Sequence, residues 1–122
     1  SSSARTLMRD AGRQIGPRAE LGLVAWREQH LLQADRPAAT FGFERSSQAQ
    51  WQDAATWLQA APERRWLFVQ DDALPSCIAA DAVIEAGVAN RRRYLLLPGD
   101  ASTASCDNII APTIDLDGNN GD

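Results

Sequence analysis

The strongest constraint on this chain is an alternation. Short apolar runs take turns with segments whose apolar residues recur every three or four positions. The runs are too short for helices and read as buried strands, whereas the periodic segments read as helices with one face on a core. Strand–helix alternation predicts βαβ units, and parallel strands joined in this way need helices over both faces. The expected fold is therefore α/β: a three-layer helix-sheet-helix arrangement around a mainly parallel sheet of about four strands.

The elements follow from local spacing. Ala4, Leu7, Met8, Ala11 and Ile15 predict a first helix, capped by Ser2 or Ser3 and stopped by Gly16-Pro17. Residues 20–26 form an apolar run that predicts the first strand. Residues 27–34 favour a short helix ended by Asp35-Arg36-Pro37, and residues 39–43 read as the second strand. Ser47 and Gln50 have capping-box spacing, opening a helix with Trp51, Ala54, Ala55, Leu58 and Ala61 on its core side and Pro62 at its end. Residues 65–70 give the clearest strand. Ser76 is then expected to cap a helix that turns Ile78, Ala79, Ala82, Val83 and Ala86 inward and closes at Gly87, and residues 94–98 form the fourth strand. The expected strand order is 2-1-3-4. Residues 1–100 thus make one domain, and residues 101–122, rich in Ser, Thr, Asp, Asn and Gly, read as a polar C-terminal tail that adds at most one edge strand.

Composition narrows the function. A chain of 122 residues has room for one core. With 44% apolar and 23% charged residues it is not broadly disordered. No apolar run is long enough to span a membrane, and the N-terminus carries no signal-peptide pattern. Twelve basic against sixteen acidic residues give a net charge of −4, which argues against a nucleic-acid partner. All the basic residues are arginines. Without lysine, P-loop nucleotide binding, Schiff-base chemistry and receiver-type phosphoacceptor sites are excluded.

In an open parallel sheet, ligands sit beyond the carboxyl ends of the strands. That rim would carry Arg27, Glu28, Gln29 and His30, then Glu44, Arg45 and Ser46, then Asp71 and Asp72, then Gly99 and Asp100. Arg27, Glu28, Asp71 and Asp72, together with Arg36, are the candidate ligand or partner contacts. The Asp71-Asp72 pair suggests Mg²⁺, but the first strand ends in Trp-Arg-Glu and the lysine is missing, so no metal or cofactor is expected. His30 is the only histidine, and no nucleophile-elbow pattern accompanies it; it reads as structural, and no residue is assigned a catalytic role. The stretch from Asp115 to Asn120 imitates a Ca²⁺ loop, with its glycine at the fourth position instead of the sixth.

Three surface features remain. Arg5, Arg9 and Arg13 recur every four residues and form a stripe that, with Arg91, Arg92 and Arg93, suits anionic lipid headgroups or a lipid-linked phosphate; the competing reading is a solvated helix face. Trp57 lies off its helix's core stripe, either as an exposed anchor or as the flank of a wide buried face. Cys77 and Cys106 are core filler in a reducing compartment. In an oxidising one they could pair or stay free; each is expected just past the carboxyl end of a neighbouring strand, and a bridge would stabilise the fold by about 3–4 kcal/mol.

Four stretches carry a resemblance: Gly22-Leu-Val-Ala-Trp26-Arg27-Glu28-Gln29 running on to Asp35-Arg36-Pro37, Gln50-Trp-Gln-Asp-Ala54, Arg65-Trp-Leu-Phe-Val69 and Ala89-Asn-Arg-Arg92. They resemble the soluble C-terminal region of bacterial polytopic glycosyltransferases of the dolichyl-phosphate-mannose–protein mannosyltransferase-like group, which is similar to the aminoarabinose transferases that modify lipid A. The resemblance implies a periplasmic domain at the inner membrane, attached to a transmembrane portion of the same polypeptide. It also implies inverting transfer of a sugar from a polyprenyl-phosphate donor to a lipid or protein acceptor. The family's catalytic carboxylates belong to its membrane part, so the resemblance assigns this domain an accessory, non-catalytic role. The alternatives are a stand-alone doubly wound module that binds a small ligand or a protein, and a small hydrolase using His30.

Overall fold

The structure is a computed structural model that describes residues 3–101 and 106. Residues 20–24 and 65–70 pair in parallel as β1 (Glu20–Val24) and β3 (Arg65–Gln70), in register from Glu20↔Arg65 to Val24↔Val69. β2 (Ala38–Thr40) adds a short parallel edge beside β1. β5 (Arg92–Pro98) lies on the other side of β3 and runs antiparallel to it, and β4 (Ile84–Ala89) pairs antiparallel with β5. The sheet order is β2-β1-β3-β5-β4.

This corrects the expected fold class. The sheet is mixed, with five strands and two of its four pairings antiparallel, and is not a mainly parallel four-stranded helix-sheet-helix sandwich. The error has one source. The segment read as the fourth helix is instead a loop, a short 3-10 turn (Ala80–Ala82) and the edge strand β4. A helix there would have crossed the sheet and returned the chain parallel. A two-residue turn at Asn90-Arg91 reverses it on the spot, with φ of 53° and 66°, the positive values that tight hairpins need at both central positions. The remaining four strands keep the expected order, with the last one running the other way.

Two helices cover opposite faces. α1 (Ala4–Ile15) is capped by Ser3, whose Oγ accepts from the Thr6 N–H at 3.2 Å. Its Leu7, Met8 and Ala11 pack on Leu21, Leu23, Phe68 and Leu96. α2 (Ser47–Ala60) puts Trp51, Ala54 and Leu58 on Val24, Leu67, Val69 and Leu97. The two-residue period of the strands sorts alternate side chains onto these two cores. The short helix expected over residues 27–34 is a 3-10 helix at residues 28–33. The cap of α2 is Ser46, one residue before the expected Ser47. Among the described residues, no helix is long and apolar enough to cross a membrane. The expected tail, the Ca²⁺-like loop and Ser2 lie outside the described residues, apart from Ala101 and Cys106.

Candidate functional site

The reversal of β5 decides which residues meet at the sheet's functional rim. The carboxyl ends of β1 and β3 lie beside the amino end of β5. A cavity of about 440 Å³ opens there, lined by Ala25, Arg27, Gln29 and His30 after β1, Gln70 at the end of β3, and Asn90, Arg92 and Tyr94 from the β4–β5 hairpin. Gly99 and Asp100, expected on this rim, follow the opposite end of β5.

An aromatic pillar supports the cavity from the α1 side. Trp26 is buried, stacks on Tyr94 with ring centroids 4.0 Å apart, and donates its Nε1–H to the Phe68 carbonyl at 3.1 Å. His30 meets the Trp26 ring edge-on at 5.3 Å. Only 8% of His30 is exposed, and its Nδ1 has no hydrogen-bond partner among the described residues. Burial, with the Arg27 charge adding to it, holds the imidazole below its ordinary pKa. Burial likewise raises the Tyr94 phenol. Tyr94 is 4% exposed.

The floor is held in an uncommon conformation. Ala25 has φ of 63°, in the left-handed region, and turns the chain so that Trp26 enters the core while Arg27 reaches the rim. Gln50, buried on α2, secures this bend: its Oε1 accepts from the Ala25 N–H at 3.0 Å and its Nε2 donates to the Arg45 carbonyl at 3.0 Å. The glutamine expected to close a capping box thus ties α2 to the end of β1 instead.

Of the residues singled out as ligand contacts, the structure brings Arg27 to the cavity. Glu28 is exposed beside it without lining it. Asp71 and Asp72 form the outer rim, 3.6 Å from Arg93 and 3.8 Å from Arg92. Among the described residues no group of three or more acidic, histidine or cysteine side chains converges on a metal position. Arg36 is elsewhere and structural. Its guanidinium donates to the carbonyls of Gly16, Ala19 and Gly12 at 2.6, 2.7 and 2.8 Å and to the Asp35 carboxylate, locking the end of α1 to the start of β1.

The arginine stripe of α1 is exposed, and Arg13 pairs with Asp10. Arg91, Arg92 and Arg93 belong to the hairpin at the sheet rim. Trp57 is half-buried against Phe41 and under the Arg65 guanidinium at 4.5 Å, so it flanks the core and is no free anchor. Cys77 and Cys106 form a disulfide, with Cα atoms 5.3 Å apart. The reason expected for their proximity does not hold, because the carboxyl end of β5 points away from that rim.

Reasoning from sequence missed Asn90 and Tyr94 as site residues and grouped Arg92 with the α1 stripe. The available signal was Ala89-Asn-Arg-Arg92, where an asparagine between two apolar runs marks a hairpin tip. No protein-family model, curated protein or solved structure matches this chain.

Proposed function

We propose that this chain is a non-catalytic binding domain that works at the periplasmic face of the inner membrane. There it would serve as the accessory part of a polytopic glycosyltransferase that moves a sugar from a polyprenyl-phosphate donor to a lipid or protein acceptor. The observation that carries the binding half of this reading is the lining of the rim cavity. It offers guanidinium, amide, imidazole and phenol groups but no serine, threonine, cysteine or carboxylate. Such a set can hold a ligand, yet it lacks both the nucleophile and the acid–base partner that a His30-centred hydrolase needs.

The compartment is supported by the Cys77–Cys106 bridge, since structural disulfides persist in oxidising surroundings. The membrane transferase is supported by the resemblance of residues 22–37, 50–54, 65–69 and 89–92, and its transmembrane portion would be the partner.

Fractionation of cells making the natural gene product tests this. The product is expected with the inner membrane, cleavable by protease added to spheroplasts, and with Cys77 and Cys106 protected from alkylation until reduced. Recovery in the cytosol with both thiols free would overturn the reading.

A further inference from the structure

We infer that the rim cavity is a receptor for a phosphoryl group carried on a small polar body of about sugar size. The inference rests on the cavity being a binding site and is independent of membrane attachment. Three observations carry it.

The first is charge. Acidic residues outnumber basic ones in the chain by four, yet two arginines and no carboxylate line this cavity. The Arg27 guanidinium has no hydrogen bond or ion pair among the described residues, although its backbone carbonyl accepts from the His30 N–H at 2.9 Å. Arg92 has one acidic neighbour, Asp72, at 3.8 Å, too far for the paired N–H···O contacts a guanidinium forms at closer range. A phosphoryl oxygen entering between these arginines gains what Asp72 leaves unmade.

The second is unspent hydrogen bonding. His30 and Tyr94, both more than nine-tenths buried, line the cavity, and the buried Nδ1 of His30 has no hydrogen-bond partner among the described residues. Buried polar groups without partners are rare, because leaving one unmade forfeits its hydration with nothing in return. With the amides of Gln29 and Asn90, the cavity offers more donors than the two oxygens of a carboxylate can accept. A phosphate monoester, with three terminal oxygens and two charges, fits better.

The third is room. A volume of about 440 Å³ lies within the range of small-molecule sites and far exceeds one phosphate. The remainder is polar, with Gln70 and Asn90 on its walls, so the body attached to the phosphate bears hydroxyls.

The test is a ¹H–¹⁵N titration of the disulfide-bonded chain with glucose 1-phosphate, inorganic phosphate, methyl glucoside and vesicles of phosphatidic acid. Saturable shifts are expected at the Trp26 indole and the Arg27 and Asn90 side chains with glucose 1-phosphate, and none with methyl glucoside. Arg27→Gln and Arg92→Gln should each weaken binding at least about tenfold, Arg27→Lys less, and Arg9→Gln not at all. Competition by the vesicles identifies a lipid headgroup as the source of the phosphate; its absence identifies a soluble ester, and both outcomes support the inference. No saturable shift with any phosphate, or equal binding by the wild type and both glutamine variants, would overturn it.

Discussion

Gln50 and Ala25, twenty-five residues apart, are joined by a hydrogen bond in which the buried glutamine Oε1 accepts from the Ala25 N–H at 3.0 Å. The same amide donates to the Arg45 carbonyl. One side chain therefore fixes the helix on one face of the sheet, the turn before that helix and the bend at the end of β1. Gln50→Leu should strand the Ala25 donor and the Arg45 acceptor and lower stability by about 1–3 kcal/mol, read from urea unfolding. An unchanged midpoint would show that water replaces both bonds at no cost.

The bend itself gives a second prediction. A side chain branched at Cβ resists the left-handed region far more than glycine does, so Ala25→Val should be less stable than Ala25→Gly by about 1–2 kcal/mol. Thermal melts of the two variants decide it. Equal melting points would mean that residue 25 relaxes to an extended conformation.

Arg36 ties the end of α1 to the start of β1 through the Gly12, Gly16 and Ala19 carbonyls, and its side chain is only 12% exposed. Arg36→Ala is expected to cost about 2–3 kcal/mol because acceptors at a helix end lose a charged donor. Arg36→Lys should recover less than half of the loss, since an ammonium cannot span all three oxygens with a planar fork. Chemical denaturation of both variants is the check.

Reducing the Cys77–Cys106 bridge frees a loop of sequence separation 29, and the chain-entropy account puts the loss at about 3–4 kcal/mol. The unfolding midpoint in urea, with and without reductant, measures it. A drop below about 1 kcal/mol would show that the reduced, unfolded chain keeps the two segments together.

His30 supplies a pH dependence. Desolvation, with the Arg27 charge adding to it, lowers the folded pKa below the ordinary 6.5, so the unfolded chain binds the proton more readily. The contribution to stability is therefore complete above 6.5 and is lost as pH falls through that value toward the folded pKa. Between about pH 7.5 and about pH 5, wild-type stability should fall more steeply than that of His30→Phe, which keeps an aromatic ring against Trp26. Parallel profiles would mean that His30 titrates as it does in the unfolded chain.

Much of this architecture was legible in the sequence. The faces of α1 and α2, the parallel pair β1–β3 and the arrival of Arg27 at the rim all follow from period and from the rule for strand ends. The region from Ile78 to Gly87 misled because its alanines satisfy a helical period, while an edge strand with one paired side and an exposed face shows only weak alternation. The bulge at Gly87, whose φ is 141° and whose missing Cβ leaves room for Leu7, blurs the strand pattern further. Half of the site was hidden by the same misreading. Once β5 is reversed, its first residues rather than its last face the ends of β1 and β3, which brings Arg92 and Tyr94 to the cavity.

The Asn90-Arg91 apex asks little of its side chains beyond tolerance of positive φ, and both are exposed. The reversal thus gives the domain a wall that can be rewritten cheaply. An Asn-Gly apex, or a hairpin longer by two residues, would remodel one side of the recess while the two packed cores stay as they are. Selectivity could diverge there among variants of this fold without renegotiating the scaffold beneath it.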